Sequence, residues 1–218
     1  MITVSLVRAY LFCPLRAYIE GLGLRPDRGP AVEAGAAVHR AYEMLSLKLA
    51  EAGEISRSHV EEVSRETGLP LGEVERLARF RESIGLAGRP VRVEVELESR
   101  RLGLRGRLDI LEGSTPVEVK YRGRVGEEDL IQLALYAMML EEHGTRVEVG
   151  YIDLLREPRR VRVELGKELR SRALKALRGA KVALLEPRPP RRRGPRAACD
   201  VRRECAVFLG GVARPAPA

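Results

Sequence analysis

The chain has 218 residues and a formal net charge of +8 at pH 7, and this length suits one domain with a sizeable hydrophobic core. Arg8 and Arg16 interrupt the apolar N-terminal stretch and no run of 18 apolar residues follows, which excludes a signal peptide and a membrane span and predicts a cytoplasmic protein. Three cysteines are too few for a disulfide scaffold, so metal ligands or free thiols are the expected uses.

The excess positive charge is almost wholly arginine, since only five lysines occur among the 39 basic residues. The planar fork of arginine matches phosphate geometry better than the lysine ammonium does, so the composition favours a polyanionic partner, with nucleic acid as the first choice. Thermal adaptation or a biased genome is an alternative explanation, because the chain has no Asn and Gln132 is its only Gln. Both explanations can hold together.

The hydrophobic periodicity predicts helices first and a mixture of strands and helices afterwards. Helices are predicted at 3–22 with an interruption near Pro14, at 31–52, and at 56–86 with a break at 68–70, and a loop is predicted at 25–30. Alternation with period 2 predicts a three-strand meander at 91–100, 101–111 and 116–121. The remaining predicted elements are a helix at 127–143, strands at 147–155 and 160–165, and a helix at 167–185.

The second and third predicted strands contain a hairpin signal. A two-residue loop that begins with glycine, Gly113-Ser114, predicts a tight turn in which Glu112 lies opposite Thr115. Because side chains alternate between the two faces of a strand, this register also fixes which residues share a face. The apolar side chains are expected together on one face: Leu108, Ile110, Val117 and Val119.

The same register brings charged side chains together on the opposite face. Asp109 would lie opposite Glu118, and Arg107 opposite Lys120, with Cβ atoms roughly 5 Å apart. Two opposed carboxylates repel and raise each other's pKa unless a cation lies between them. Mg²⁺ or Mn²⁺ would resolve this conflict, whereas the lack of nearby cysteine argues against zinc. The alternative is a surface lattice of salt bridges, Asp109 with Arg107 and Glu118 with Lys120.

Two pairs of helical residues could complete such a site. Gly35 and His39 lie one helical turn apart, so the helix could approach the hairpin closely at Gly35 and direct His39 towards the two carboxylates. Gln132 and Tyr136 share one face of a later helix, where they could hold a phosphate or a catalytic lysine. The alternatives are an ordinary hydrogen-bonded histidine and an amphipathic helix with a half-buried tyrosine.

The cysteines lie at the two ends of the chain. Cys13 is near the N-terminus, and Cys199 and Cys205 are separated by five residues near the C-terminus. Cysteines from both ends that converge would hold the termini together, as thiolates do around an iron–sulfur cluster. Buried or free thiols are the alternative, because three ligands do not make a standard cluster site.

Taken together, these motifs resemble the PD-(D/E)XK nucleases of the RecB type. The likeness rests on G-x-x-x-H at Gly35 and His39, G-R-L-D ending at Asp109, E-V-K from Glu118 to Lys120, and Q-x-x-x-Y at Gln132 and Tyr136. The stretch YLFCPLRAYIE and the late C-x5-C resemble the fourth-numbered family of CRISPR-associated (Cas) proteins, exonucleases of spacer acquisition. The likeness spans about residues 5 to 207.

The resemblance implies an α/β fold with a restriction-endonuclease-like core, in which a central mixed β-sheet is flanked by helices. The expected regions, all parts of one integrated domain, are an N-terminal helical region at 1–90, the nuclease core at 91–186, and a C-terminal cysteine segment with a disordered tail at 187–218. The implied enzyme is a Mg²⁺- or Mn²⁺-dependent deoxyribonuclease that hydrolyses phosphodiesters. Its expected partners are single-stranded DNA and the CRISPR spacer integrase complex, without a membrane, and a homo-oligomer is compatible with the sequence.

The resemblance also implies a role for each motif residue. His39, Asp109, Glu118 and the carbonyl of Val119 would bind the metal, and Lys120 would activate or orient water. Gln132 and Tyr136 would position the strand and the lysine, and either Glu94 or Glu96 could assist the first acidic position. The arginines expected to contact DNA are Arg107 and Arg122.

The chain departs from the family pattern at one cysteine. The family usually has one early cysteine followed by C-x2-C-x5-C, and Arg196 occupies the first place of the late trio here. Cys13, Cys199 and Cys205 would therefore hold an incomplete or unusual iron–sulfur cluster, of the 4Fe–4S type if present, or none. Two other functions stay open: a repair nuclease akin to the AddAB helicase-nuclease, and a non-catalytic subunit that holds DNA ends for the integrase.

Overall fold

The protein is described here by a computed structural model, which places residues 1–24, 30–142, 144, 146–186, 189–191, 199, 201 and 205–206. The strands are β1 (Ile2–Thr3), β2 (Val91–Ser99), β3 (Leu104–Glu112), β4 (Thr115–Lys120), β5 (Val149–Leu154) and β6 (Arg159–Glu164). The helices are α1 (Val4–Phe12), α2 (Pro14–Gly21), α3 (Pro30–Ala52), α4 (Arg57–Thr67), α5 (Leu71–Ile84), α6 (Glu127–Glu141) and α7 (Lys167–Leu185).

The six strands form one mixed sheet, as expected for the fold class. The order is β1-β3-β4-β5-β6, and β2 pairs with β3 along its other edge. The pairs β1/β3 and β4/β5 are parallel, and the other pairs are antiparallel. Strand β1 was missed in the sequence, because two residues are too short to show a period.

Helices cover both faces of the sheet and enclose two separate cores. On one face, called the α6 face below, α1, α6 and α7 pack on the sheet, and Val4, Leu108 and Leu154 belong to this core. On the other, called the α3 face, α3, α4 and α5 pack around Tyr42, Ile110 and other side chains. No helix in the described part of the chain is long and apolar enough to cross a membrane.

The predicted hairpin register between β3 and β4 is confirmed next to the turn, but the ladder does not extend to the predicted pairs Asp109 with Glu118 and Arg107 with Lys120, because β3 and β4 separate beyond Ile110. The paired residues are Glu112 with Thr115, Leu111 with Pro116, and Ile110 with Val117. Gly113 begins the turn with φ of +62°, a left-handed conformation that glycine adopts without steric cost. The β3/β4 ladder ends at Ile110, one residue before Asp109.

The side-chain alternation of β3 changes phase at Asp109, so the expected apolar face is wrong for one residue. Ile110, Val117 and Val119 lie in the α3-face core, but Leu108 lies in the α6-face core. The β2/β3 ladder runs through this point but lacks a pair between Val93–Ile110 and Val95–Leu108. The residue of β2 at this interruption, Glu94, has a φ of +49°. This local turn of the backbone moves the next side chains to the opposite face.

A buried ion network anchors the turn end of the hairpin on the α3 face. Arg81 and Glu112 are both fully buried and form an ion pair. Arg160 binds Glu112 with an N–O distance of 3.1 Å and Asp153 with one of 2.8 Å. Tyr42 donates a hydrogen bond of 2.8 Å to Asp153. The network therefore joins α3, α5, the hairpin and the β5/β6 pair.

The ends of the chain are described only in part. Residues 25–29 of the predicted loop at 25–30 lie outside the described residues, and α3 begins at Pro30. Helix α7 has the predicted bounds. The predicted disordered tail and Arg196 lie outside the described residues.

Candidate active site

The candidate site lies at a gap in the pairing of β3. Strand β1 pairs with β3 at Leu104 and Arg105, whereas β4 pairs with the same edge only from Ile110 onwards. The edge of β3 between these pairs, residues 106–109, is therefore open. A cleft of about 740 Å³ lies here, and helices from both faces of the sheet reach it. Its charged lining side chains include Arg8, His39, Arg40, Glu94, Arg107 and Lys120.

Gly106 allows two helices to pack against this open edge. A Cβ atom at Gly106 would lie 2.7 Å from Tyr136 Cε1 and 2.7 Å from Val4 Cγ2, both closer than real contacts allow. The hydroxyl of Tyr136 donates a hydrogen bond of 2.7 Å to the carbonyl of Arg107. The glycine of the G-R-L-D motif thus lets α1 and α6 approach the strand, and Tyr136 ties α6 to β3 through the Arg107 carbonyl.

Asp109 takes the place of the next ladder hydrogen bond. The backbone N–H of Val119 donates to Asp109 Oδ2 at 2.8 Å. His39 Nε2 lies 3.2 Å from the same oxygen and 2.9 Å from the carbonyl oxygen of Val119. A ring nitrogen, a carboxylate oxygen and a backbone carbonyl oxygen therefore converge at one point.

Glu43 holds the other edge of the His39 ring and was not identified from the sequence. Glu43 Oε1 lies 3.1 Å from His39 Nδ1, one helical turn along α3. Nδ1–H donating to this carboxylate directs Nε2 towards Asp109 and the Val119 carbonyl, an arrangement that fixes ring orientation at metal sites. His39, Glu43 and Asp109 also offer ligand atoms within 4.8 Å of one another. The signal available was the i, i+4 spacing of His39 and Glu43.

Gly35 does not play the packing role expected of it. A Cβ at Gly35 would meet no atom within 4 Å, and the residue lines the cleft. The expected close approach of helix and hairpin at this glycine is therefore wrong. Its missing side chain leaves room in the cleft instead.

Glu118 and Lys120 form a pair beside the convergence point. Lys120 Nζ donates to Glu118 Oε2 at 2.6 Å and lies 4.0 Å from Asp109 Oδ2. Glu118 is fully buried, and its Oε1 has no hydrogen-bond partner among the described residues. Glu118 is not part of the group formed by His39, Glu43 and Asp109. One buried carboxylate oxygen is thus left for a ligand that the protein itself does not supply.

The protonation of these groups is strongly coupled. Burial and the negative charge of Asp109 raise the pKa of Glu118 to about 8, against the opposing effect of Lys120. Burial also disfavours charge on His39, but Asp109 and Glu43 outweigh it and raise the pKa of His39 to about 10. Burial would raise the pKa of Asp109 too, yet His39 and Lys120 hold it well below its usual range. Without a metal, protons therefore balance the charge of the acids.

These donors fit a divalent cation. The ligand atoms that converge are Asp109 Oδ2, His39 Nε2 and the Val119 carbonyl, and Glu118 Oε1 in the neighbouring Glu118–Lys120 pair is a further oxygen without a partner among the described residues. A set dominated by oxygen suits Mg²⁺ or Mn²⁺ better than metals that prefer thiolates. A cation would also replace the protons that the site otherwise needs.

Gln132 and Tyr136 lie on the same side of α6, but they do not bind Lys120. Both are buried. A hydrogen bond from Gln132 lowers the pKa of Tyr136, although burial and Glu118 raise it overall. Gln132 Oε1 has no hydrogen-bond partner among the described residues. Tyr136 thus supports β3, and Gln132 supports Tyr136.

The two arginines expected to contact DNA are paired with acids. Arg107 lines the cleft and binds Glu94 at 3.0 Å. Arg122 binds Glu128 at 2.8 Å and also pairs with the buried Asp129 at the start of α6. Of the two candidate helper acids, Glu94 lines the cleft, whereas Glu96 is exposed outside its lining.

The cysteines are only partly brought together. Cys13 and Cys205 are buried in one small hydrophobic cluster with Leu15 and Ile19. Cys199 is partly exposed and is not part of that cluster. Within the described residues, the cysteines do not form a group of three with ligand atoms at metal-binding distance.

Comparison with known proteins agrees with this fold. The chain is similar to the crystal structure of a candidate exonuclease from Eubacterium rectale, with 14% identity and a TM-score of 0.56 over 99% of this chain and 90% of the other. That likeness shows the α/β nuclease fold. A family model described as the PD-(D/E)XK nuclease superfamily matches residues 1–207, so the chain belongs to this superfamily. No match was found among curated proteins.

Proposed function

We propose that the chain is a metal-dependent DNA exonuclease that acts on single-stranded ends. The observation that carries the proposal is the convergence of His39 Nε2, Asp109 Oδ2 and the Val119 carbonyl beside the buried Glu118–Lys120 pair. Membership of the nuclease superfamily supports hydrolysis of phosphodiesters. The basic cleft supports a nucleic acid substrate, since arginine-rich clefts attract phosphate.

Each residue has a separate task in this proposal. A bound Mg²⁺ or Mn²⁺ would lower the pKa of a coordinated water and neutralise charge on the phosphate. His39, Asp109, Glu118 and the Val119 carbonyl hold that cation, and Glu43 orients the His39 ring. Lys120, held 2.6 Å from Glu118, directs its ammonium towards the attacking oxygen or the developing charge. Tyr136 keeps the carbonyl edge of β3 in place.

The test is cleavage of an end-labelled single strand with Mn²⁺ by the wild type, Asp109→Ala and Lys120→Ala. We expect loss of cleavage by at least about a thousandfold in both variants, because each removes several kcal/mol of transition-state stabilisation. Arg178→Gln serves as a control, since Arg178 is exposed on α7 outside the cleft lining. Unchanged cleavage in Asp109→Ala or Lys120→Ala would contradict the site.

The exonuclease mode needs its own experiment. A circular single strand has no end, so an exonuclease leaves it intact while it degrades the linear form of the same sequence. Cleavage of the circle at a comparable rate would show an endonuclease instead. A matched duplex with blunt ends tests the preference for single strands.

We further propose a role in trimming DNA for CRISPR spacer acquisition, on the basis of the sequence resemblance alone. Co-purification with the spacer integrase and the identity of neighbouring genes would distinguish this role from DNA repair alongside a helicase. A non-catalytic end-binding subunit would bind DNA equally with and without metal and would cleave nothing.

An iron–sulfur cluster stays a prediction that the arrangement of the cysteines does not support. Iron content and visible absorption of protein purified without oxygen would test it. Colourless protein without iron would reduce Cys13 and Cys205 to packing residues, in line with their shared hydrophobic cluster.

A further inference from the structure

The charged side chains of the cleft fall into two groups by their partners. Lys120 is paired with Glu118, and Arg107 with Glu94. Arg8 and Arg40 make no ion pair or hydrogen bond with any residue that the structure describes. Arg8 is half-buried and its Nε is fully buried without a partner, whereas Arg40 is exposed.

Arg8 and Arg40 reach the cleft from opposite faces of the sheet. Arg8 belongs to α1, which packs on the α6 face through Val4 and Val7. Arg40 belongs to α3, which packs on the α3 face through Val38 and Ala41. Both side chains line the same cleft because the gap between β1 and β4 leaves the edge of β3 open to both faces. The convergence point of His39 and Asp109 lies in this gap.

Burial of an unpaired guanidinium atom is costly, since most buried polar groups in proteins have a partner. No carboxylate among the described residues pairs with Arg8: Glu128 binds Arg122, and Glu118 binds Lys120 through its Oε2. Because Arg8 lines the cleft without a carboxylate partner among the described residues, an anionic ligand in the cleft would pair with its guanidinium group.

We infer that Arg8 and Arg40 bind two phosphates of one DNA strand, on either side of the phosphodiester that lies at the Asp109 centre. The inference rests on the proposed function and specifies the path of its substrate. The strand crosses the gap in the sheet from the α1 side to the α3 side. Arg107 and Arg122 are less suited to this role, because each is already neutralised by an acid.

The first test measures how binding depends on salt. Anisotropy of a labelled thymidine 12-mer is followed from low to high salt with Ca²⁺ in place of Mn²⁺, using the wild type, Arg8→Gln, Arg40→Gln and the double variant. Each lost phosphate contact should reduce the slope of log K against log salt by about 0.7, and the double variant should lose about twice as much. Arg178→Gln removes the same charge from an exposed position outside the cleft lining and should keep the wild-type slope.

The second test locates the two phosphates. A methylphosphonate linkage removes the charge of one chosen phosphate in the strand. When the neutral linkage replaces the phosphate that Arg8 binds, on one side of the cleaved position, Arg8→Gln should weaken binding no further. When the neutral linkage lies on the other side, Arg40→Gln should weaken binding no further. Arg8→Lys keeps the charge and should restore most of the salt slope, which separates loss of the contact from a folding defect.

The outcomes separate this inference from the proposed function. Wild-type protein that cleaves DNA while Arg8→Gln and Arg40→Gln match Arg178→Gln in affinity and slope would overturn the strand path and leave the nuclease intact. If the same neutral linkage abolished the effects of both Arg8→Gln and Arg40→Gln, the two arginines would not bind phosphates on opposite sides of the cleaved position. Wild-type protein that neither binds nor cleaves DNA would overturn both.

Discussion

Two buried charge clusters lie on the same β3/β4 hairpin and differ in their balance of charge. At the turn end, Glu112 and Asp153 face Arg81 and Arg160, so two acids meet two permanent cations. At the open end, three acids face one lysine and a histidine; these acids are Asp109, Glu118 and Glu43.

The difference in balance explains the difference in chemistry. At the turn end, each carboxylate is neutralised and hydrogen-bonded by an arginine, and these ion pairs join neighbouring elements. Among the described residues, no charge or hydrogen-bonding group of this cluster is left over for a ligand. The open-end cluster has two negative charges left over when His39 is neutral, and one buried oxygen of Glu118 lacks a partner among the described residues. Such a cluster needs protons or a divalent cation, which is the condition of a catalytic metal site.

The largest expected effect comes from Glu118→Gln. Glutamine keeps the size of the side chain but removes the negative charge that would hold the metal, so Mn²⁺-dependent cleavage should fall by at least about a thousandfold. The metal-free protein should be at least as stable as the wild type at pH 8, because a negative charge that burial and Asp109 disfavour is removed. Cleavage rate and urea unfolding measured on the same preparation check both parts. A large loss of stability would show that Glu118 is structural.

The matched change at the other cluster is Glu112→Gln, which should have the opposite profile. Glu112 is as fully buried as Glu118, but its removal leaves Arg81 without its carboxylate. Breaking a buried ion pair typically costs about 3–5 kcal/mol, so the melting temperature should fall by roughly 10 °C. Cleavage per folded molecule should be close to normal well below the transition. Near-normal stability would contradict the structural role of the network.

The sequence predicted the parts of this comparison that depend on local pattern. Gly113 with its neighbours specified the turn, and the turn specified the register of the hairpin, because pairing in a tight hairpin follows from loop length. The positions of His39 and Tyr136 followed in the same way from helical spacing. The order of helices and strands followed from the change of period along the chain, and the mixed sheet with flanking helices followed from the family resemblance.

The parts that were missed depend on partners distant in the chain. The left-handed backbone of Glu94 has no sequence signal, so the change of face at Asp109 could not be predicted. The role of Glu43 as the partner of His39 becomes clear only when the orientation of the His39 ring is known. The acidic partners of Arg107 and Arg122 could not be predicted either, because tertiary packing decides them, and contact of these arginines with DNA stays a prediction.

The pH dependence of the free energy of unfolding should also distinguish the two clusters. The pKa of Glu118 is raised to about 8 from an ordinary value of 4.5, so its contribution to metal-free stability is complete below pH 4.5 and is lost as pH rises to about 8. His39, raised to about 10 from 6.5, acts in the same direction at higher pH. Urea unfolding in chelator should therefore show falling stability from pH 5 to 8, by up to about 1.4 kcal/mol per pH unit and group.

Glu118→Gln should flatten this profile below about pH 6.5 and reduce its slope from there to pH 8, where His39 still contributes, and Glu112→Gln should shift the profile without changing its slope. Excess Mn²⁺ should reverse the trend, since the metal displaces the same protons and binds more tightly as pH rises. A metal-free profile that is identical in the wild type and Glu118→Gln would contradict the coupled protonation of the site.

A smaller effect is expected from Gly106→Ala. The added Cβ would overlap Tyr136 and Val4 at 2.7 Å and force α1 or α6 away from β3, at a cost of about 1–3 kcal/mol. Gly35→Ala is the matched control, because its Cβ meets no atom and alanine favours the helix by up to about 1 kcal/mol. Thermal unfolding of both variants measures the difference. Equal stability changes would show that α1 and α6 are free to shift.

The smallest expected effect concerns Tyr121, which lies at the rim of the cleft directly after Lys120 and is 40% exposed. Bases of a single strand stack on exposed aromatic rings, with a contribution of about 1–3 kcal/mol each, whereas paired bases are held in the duplex stack. Tyr121→Ala should therefore weaken binding of a single strand by about tenfold and leave duplex binding nearly unchanged, while Tyr121→Phe should behave as the wild type. Anisotropy with matched single and double strands measures both. Equal losses for the two substrates would place Tyr121 in general packing of the cleft and not in the choice of strand.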